Sequence, residues 1–129
     1  MAKPKATHQA PPEPQCKATL NAIADALFVI GGKWNLRIIV ALKDGNKRFN
    51  ELQRLIDGIS AKVLSSELKE LELNGFVRRN IYTTTPVVVE YELTEYSNTL
   101  DDVLHALSSW GATHKEKIRK SMRRNEPVG

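Results

Sequence analysis

Three side chains suited to contacting a polyanion recur along residues 60–74. Lys62, Ser66 and Lys69 are spaced by four and three residues, so a helix would carry them on one face. Lysine can contact phosphate or the edge of guanine, and serine hydroxyls can contact several bases. Ser65 and Val63 flank them, and a small apolar group such as valine suits a thymine methyl. The pattern favours a surface that reads a nucleic-acid groove, although the solvated face of any amphipathic helix would look similar.

Further donors precede and follow this segment. Lys47 and Arg48 come before it and would contact backbone phosphates, which fix position without reading sequence. Arg78 and Arg79 come after it, and paired arginines on a strand can also serve only to protect its edge. Three consecutive hydroxyl side chains then follow, each small enough to reach phosphates or a minor groove: Thr83, Thr84 and Thr85.

The net charge is only +4, but the charges are unevenly distributed. Residues 33–79 hold ten Lys or Arg against six Asp or Glu, whereas residues 80–114 hold none against five. A basic region suits a polyanion, because neutralising phosphates releases counterions. A mixed solvated surface would account for the charges equally well.

Residue types that metal centres and common active sites need are present but not suitably spaced. His8, His105 and His114 lack the spacing of metal ligands, and the last two, nine residues apart, do not lie one helical turn from each other. Gly31 and Gly32 alone do not form a phosphate-binding loop. We therefore expect no enzyme activity, no metal and no cofactor.

Cys16 is the only cysteine, so the chain cannot form an internal disulfide. The first residues lack the apolar stretch of a secretory signal, and Asp25 interrupts the apolar run over residues 18–32. These features predict a cytoplasmic protein in a reducing environment, without membrane attachment.

The segments that would position these residues begin after a proline-rich N-terminus. Four of the six prolines lie in residues 1–14, which predicts a flexible arm over residues 1–15. The first helix carries an apolar stripe from residue 19 to 30, the second covers residues 33–43 with Leu36, Ile39 and Val40 inward, and the third spans residues 49–56. Ser60 is a suitable N-cap for a fourth helix, which Gly75 ends.

The pattern changes after Gly75. Residues 76–82 and 87–93 are rich in Val, Tyr and Ile and flank a polar tip, which predicts a β-hairpin. A last long helix begins near Thr94 or Ser97, and the basic tail, residues 115–129, either extends it or forms a loose arm. A short turn at residues 57–59 joins two helices ahead of the hairpin. The predicted fold is therefore mainly α with a β-hairpin wing (α+β), a winged helix-turn-helix over residues 16–114.

The N- and C-terminal helices carry more apolar side chains than a small core with one hairpin can cover. We therefore predict that both are dimerisation helices of a two-fold homodimer, in which two recognition helices lie about one DNA turn apart and read a palindrome. The predicted dimer interface comprises Leu20, Ile23, Leu27, Phe28, Leu104, Leu107 and Trp110.

Three ordered stretches resemble the HxlR-type family of bacterial transcriptional regulators, relatives of the MarR group. They are IGGKWNLRIIVALKDGNKRFNELQ (residues 30–53), GISAKVLSSELKELELNGFVRR (58–79) and PVVVEYELTEYS (86–97). The last contains the family's Pro-x-x-Val-Glu-Tyr-x-Leu-Thr signature, and the match covers about residues 16–111. The resemblance implies a homodimeric winged-helix protein that binds double-stranded DNA sequence-specifically at a palindromic operator, with the first and last helices forming the dimer interface.

The family usually carries a cysteine just before its first helix, and Cys16 falls there, although Lys17 follows it where a proline is common. In several members this cysteine senses oxidants, quinones or other electrophiles. The resemblance therefore implies redox sensing by Cys16 and an oxidant or small-molecule inducer. A small buried residue that packs at the helix start is the alternative role.

A winged helix can also serve only as a protein-interaction module without DNA binding, because a fold alone does not determine function. Salt dependence separates the two functions. DNA binding weakens steeply as salt rises, whereas an apolar protein interface responds far less. The sequence leaves this alternative open.

Overall fold

The computed structural model describes residues 13–123. Within this range five α-helices and one antiparallel hairpin follow the predicted order: α1 (Glu13–Ile30), α2 (Asn35–Lys43), α3 (Phe49–Leu55), α4 (Ala61–Leu73), β1 (Val77–Tyr82), β2 (Val88–Leu93) and α5 (Asp101–Arg123). A 3-10 helix, Glu95–Leu100, leads into α5. The architecture is a winged helix-turn-helix, mainly α with a β-hairpin wing, as predicted.

The hydrophobic core lies between α2, α3, α4 and the base of the hairpin. Ile38 and Ile39 of α2, Leu52 of α3 and Leu64 of α4 are fully buried. The ring of Phe76, which precedes β1, is buried as well. The core therefore holds the two helices of the helix-turn-helix against α2 and the wing.

Val40, predicted to face this core, is exposed instead. Helical geometry explains the difference, because at 100° per residue Val40 lies about 200° around α2 from the buried Ile38. Leu55, an apolar residue at the end of α3, is also exposed. Val40 on α2 and Leu55 on α3 thus form an apolar surface that the folded chain does not cover.

Helix α4 begins and ends where its sequence indicates. The N–H of Val63 donates to Ser60 Oγ (3.1 Å), so Ser60 caps the helix. Ile59 before the cap and Leu64 inside the helix are both buried, as a hydrophobic staple requires. Gly75 follows the C-cap with a φ of +84°, a left-handed conformation that glycine adopts without strain. These ends set the length of α4, and the buried Leu64, Leu68 and Leu71 determine which of its faces stays exposed.

The wing is a hairpin in which β1 and β2 pair along their whole lengths. The loop before α3 pairs with the edge of this hairpin at β2. The N–H of Lys47 donates to the carbonyl of Tyr91 (3.1 Å), and the N–H of Tyr91 donates to the carbonyl of Lys47 (2.7 Å). This bridge ties the start of α3 to the wing.

The first helix begins earlier than predicted, and the last resolves an alternative that the sequence left open. Helix α1 begins at Glu13, inside the predicted arm, and tolerates Pro14 because the first helical turn needs no N–H from it. Helix α5 continues through Arg123, so residues 115–123 of the basic tail extend the helix. The remaining parts of the predicted arm and tail, residues 1–12 and 124–129, lie outside the described residues. Among residues 13–123, none of the helices combines the length and the apolar character that a membrane crossing requires.

Candidate DNA interface

The outward face of α4 is polar and basic. Lys62, Ser65, Ser66 and Lys69 are all exposed, on the side away from the buried leucines of that helix. Within residues 13–123 neither lysine forms an ion pair, so both ammonium groups are free to contact a ligand. The two hydroxyls lie between the cations along the helix, an arrangement able to contact phosphates and base edges together.

Val63 differs from the other predicted readers. Its side chain is half buried against the core, and its N–H is used by the Ser60 cap. It lies one position before the buried Leu64, at the border between the two faces of α4. Val63 therefore packs at the start of the helix, and only part of its side chain remains to contact a thymine methyl.

Lys47 and Arg48 lie in different environments at the start of α3. Lys47 Nζ lies 3.4 Å from Asp44 Oδ2, and only 17% of the Lys47 side chain is exposed. Arg48 is exposed and, among the described residues, has no ion-pair partner. Its N–H donates to Glu51 Oε1 (2.7 Å), which satisfies a free donor at the start of α3. Arg48 is therefore the freer of the two cations.

Arg78 is paired with a carboxylate on the neighbouring strand. Its Nη1 lies 3.2 Å from Glu92 Oε1, and Asn80 Nδ2 donates to the same oxygen at 2.9 Å. The hydrogen bond from Asn80, together with the Arg78 charge, outweighs partial burial and holds the pKa of Glu92 below its ordinary value. Glu92 is thus ionised at neutral pH and competes with any phosphate for Arg78.

Arg79 and the wing tip are more open to contact. Arg79 is exposed and lies opposite Tyr91 in the strand register. Burial raises the pKa of Tyr91, and the positive charge of Arg79 opposes that rise. All three tip threonines are exposed, and Thr84 Oγ1 donates to the carbonyl of Pro86 (2.7 Å), which orders the tip.

The predicted dimer residues lie on a different part of the surface. Helix α1 has no fully buried side chain among its 18 residues. The Trp110 ring stacks on His114 with 4.8 Å between ring centroids, and Leu104 is half buried against the core. Cys16 is exposed, which disagrees with a buried packing role. The other predicted dimer residues are exposed as well: Leu20, Ile23, Leu27, Phe28, Leu107 and Trp110.

A groove between α2, α3 and α5 was not predicted from the sequence. It has a volume of about 1030 Å³ and is lined by Leu36, Val40, Leu55, Leu104 and Leu107, among others. The sequence did contain a signal for it, because Leu36 and Val40 are four residues apart and form a second apolar stripe on α2. We call this feature the α2–α3–α5 groove.

Two cations beside a tryptophan also escaped prediction. Lys33 Nζ lies 4.9 Å and Arg37 Cζ 5.2 Å from the centroid of the Trp34 ring, both within cation–π range. The same ring lies beside Gly58, so that a Cβ on that glycine would be 3.9 Å from Trp34 Cη2. This cluster ties the start of α2 to the turn that precedes α4.

Comparison with known proteins identifies the family. The family described as HxlR-like helix-turn-helix matches residues 29–119. The chain belongs to this family. The uncharacterized HTH-type transcriptional regulator YtcD of Bacillus subtilis (strain 168) is 42% identical over 97 residues, which cover 75% of this chain and 77% of YtcD. Like its relatives, this HxlR-like chain is a helix-turn-helix transcriptional regulator, a DNA-binding class of proteins that are not enzymes.

Similar solved structures support this family assignment. The crystal structure of the regulator ytcD has a TM-score of 0.70 at 44% identity and covers 73% of this chain and 96% of its own. The redox regulator HypR in its reduced form has a TM-score of 0.71 at 36% identity, and the match covers 77% of this chain and 98% of HypR. A MarR-family transcriptional regulator from Enterococcus faecalis V583 has a TM-score of 0.66 at 35% identity, and the match covers 92% of this chain and 99% of that regulator.

Proposed function

We propose that two copies of the chain bind a palindromic operator, each placing α4 in a major groove. The exposed face of α4 carries this proposal, because Lys62, Ser66 and Lys69 stand opposite a buried leucine stripe and the free lysines face outward. The wing follows α4 directly, an order typical of domains that read a groove. On this proposal Lys62, Ser65, Ser66 and Lys69 read base edges, while Val63 makes at most a marginal contact.

The same proposal assigns phosphate contacts to the cations around α4. Arg48 and Arg79 are exposed and suited to hold the backbone on either side of the reading helix. Arg78 joins them by exchanging Glu92 for a phosphate, and Lys47 contributes less because Asp44 balances it. The hydroxyls of the wing tip reach the backbone or the minor groove: Thr83, Thr84 and Thr85.

The exposed apolar side chains of α1 and α5 support the proposed homodimer. A two-fold axis that covers them on both copies also relates the two α4 helices, and this symmetry is why the operator would be palindromic. For both helices to enter the major groove of one DNA face, we expect them to lie about 34 Å apart, one DNA turn. The division predicted from the sequence, with an arm at residues 1–15, a DNA-binding and dimerisation domain at 16–114 and a basic tail at 115–129, stays a prediction.

Cys16 is proposed as the redox-sensing residue of this regulator. The thiol is exposed on α1, and the structurally similar HypR is a redox regulator. Two Cys16 thiols of a dimer can form a disulfide while diamide takes up the two electrons and two protons. A quinone can instead bond to one sulfur and become a substituted hydroquinone as the thiol proton moves to oxygen. Either product changes the bulk at α1 and with it the relative positions of the two α4 helices.

Selection of bound DNA from a random pool by the purified protein tests the proposed function. We expect enrichment of a two-fold symmetric sequence, bound by two chains per duplex, whose affinity falls steeply with salt. Failure to enrich any sequence would contradict the proposal and favour the protein-interaction module. A single thiol and a DNA target also fit the proposed cytoplasmic location.

A further inference from the structure

Two exposed cations share the Trp34 ring at the start of α2. Lys33 Nζ and Arg37 Cζ both lie within cation–π range of this ring, so their positive charges are held close to each other and repel. Across residues 13–123 neither side chain lies within ion-pair distance of a carboxylate. We call these three residues the Trp34 cluster. Its charge is not balanced within the described part of the chain, and an anion from outside would offset the repulsion.

The backbone that carries the Trp34 cluster is fixed by a buried amide. Asn35 is largely buried, its Nδ2 donates to the carbonyl of Val29 (3.1 Å), and its Oδ1 accepts from the N–H of Leu36 (2.9 Å). The Trp34 ring is itself half buried against the core. A guanidinium held over a ring keeps the N–H groups at its edge free for an oxyanion. The two cations are therefore positioned before any ligand binds, which lowers the entropy lost on binding.

The Trp34 cluster lies beside the N-terminal end of α4. The tip of the Trp34 ring approaches Gly58, where a Cβ would be 3.9 Å from Cη2, and Ser60 caps α4 two residues later. The N-terminus of a helix is the positive end of its dipole. Lys62 in the first turn is exposed and adds another positive charge. Asp57, the carboxylate of the turn before α4, forms no ion pair with either cation of the cluster.

The phosphate contacts assigned above lie at the hairpin, beyond the other end of α4. Arg78 and Arg79 follow the C-terminal end of α4, on β1. The backbone bridge to Tyr91 places Lys47 and Arg48 beside the same hairpin. Because phosphate backbones border the major groove on both sides of an inserted helix, contacts at the hairpin hold only one of them. The Trp34 cluster supplies cations at the opposite end.

We propose that the Trp34 cluster binds the DNA backbone beside the N-terminal end of α4, with Lys33 and Arg37 contacting phosphate oxygens. The inference rests on the proposed placement of α4 in a major groove and deepens it by adding the backbone contact that lies across the groove from the wing. A phosphate there accepts hydrogen bonds from the guanidinium edge and offsets both charges. Because phosphates are the same in every sequence, the cluster fixes the position of α4 without reading bases.

DNA binding by the double variant Lys33→Gln and Arg37→Gln tests this assignment. We expect it to weaken binding to the selected operator and to an unrelated duplex of equal length by the same factor, at least about tenfold at low salt, and to reduce the slope of log K against log salt by about 2. Lys115→Gln with Lys120→Gln removes the same charge from exposed positions on α5 and is the matched control. Circular dichroism checks that both double variants are folded. Equal changes in the two would show an effect of total charge alone and overturn the assignment.

Neutral replacements of single operator phosphates provide a second measurement. Methylphosphonates introduced one at a time should reveal a position in each half-site at which wild type binds more weakly and the cluster variant does not, because its contact is already absent. If every position weakens both proteins equally, the cluster touches no phosphate. A wild type that binds the operator, with affinity and salt slope unchanged in the cluster variant, contradicts the cluster assignment alone. A wild type that binds no duplex contradicts the proposed function as well.

Discussion

Single side chains on α4 and around it divide into readers and positioners of DNA. Replacing Ser66 or Lys62 by Ala should weaken binding to the specific operator by about 1–3 kcal/mol where the side chain hydrogen-bonds a base, with little change on unrelated duplex. Fluorescence anisotropy on both duplexes measures this. Ser109→Ala, an exposed serine on α5, is the matched control. Equal weakening on specific and unrelated DNA would show that these side chains touch only the backbone.

The pair formed by Arg78 and Glu92 makes a second prediction at this scale. Glu92→Gln removes the competing carboxylate, so DNA of any sequence should bind more tightly. Arg78→Ala should weaken binding to all sequences alike and reduce the slope of log K against log salt by about 1. Glu90→Gln removes the same charge from the same strand and serves as the control. If it strengthens binding as much as Glu92→Gln does, the effect is only one of total charge.

At the scale of elements, the reading helix depends on its cap. Ser60→Ala should lower the free energy of unfolding by about 1 kcal/mol, because the N–H of Val63 loses its acceptor. Urea denaturation followed by circular dichroism measures the change. Ser65→Ala changes an exposed serine in the same helix and should stay within about 0.5 kcal/mol of wild type. An unchanged midpoint for Ser60→Ala would mean that the cap contributes nothing to stability.

The elements that could be predicted are those whose signals are local in the chain. The cap at Ser60, the glycine stop at Gly75 and the two stretches of the hairpin rich in Val, Tyr and Ile depend on neighbouring residues, and the structure confirms all three. The exposure of Val40 could not be predicted in this way. It depends on which side of α2 packs against the other helices. An exposed apolar stripe has the same residue pattern in the sequence as a stripe that faces the core.

Pairings between distant residues account for the rest of what was not foreseen at the candidate site. Arg78 meets Glu92 across the hairpin, so one cation predicted to face DNA is partly engaged within the chain. The backbone of Lys47 bridges to Tyr91 and fixes this residue beside the wing, while its ammonium group pairs locally with Asp44. Val63 is half buried because it lies next to Leu64, at the border between the buried and exposed faces of α4. The free cations Lys62 and Lys69 were the easier prediction, because a helical projection alone puts them opposite the leucines.

For the whole molecule, the proposed role of Cys16 predicts a response to oxidants. Diamide or a quinone should change the operator affinity of wild type, and each 1.4 kcal/mol of bias between two dimer arrangements changes it about tenfold. Cys16→Ser should bind the operator normally and no longer respond. The titration is read as operator affinity against oxidant concentration for both proteins. Identical responses of the two would show that Cys16 is not the sensor.

Operator binding by a charge-matched pair of triple variants tests the central claim most directly. The first replaces the outward face of α4, Lys62, Ser66 and Lys69, by Ala. The second replaces one serine and two lysines of α5 by Ala, namely Ser109, Lys115 and Lys120, and so removes the same charge. With both variants folded and dimeric, we predict that the α4 variant no longer binds the specific operator and that the α5 variant still does. Unchanged operator affinity in the α4 variant, or equal weakening in both, would contradict a reading role for α4.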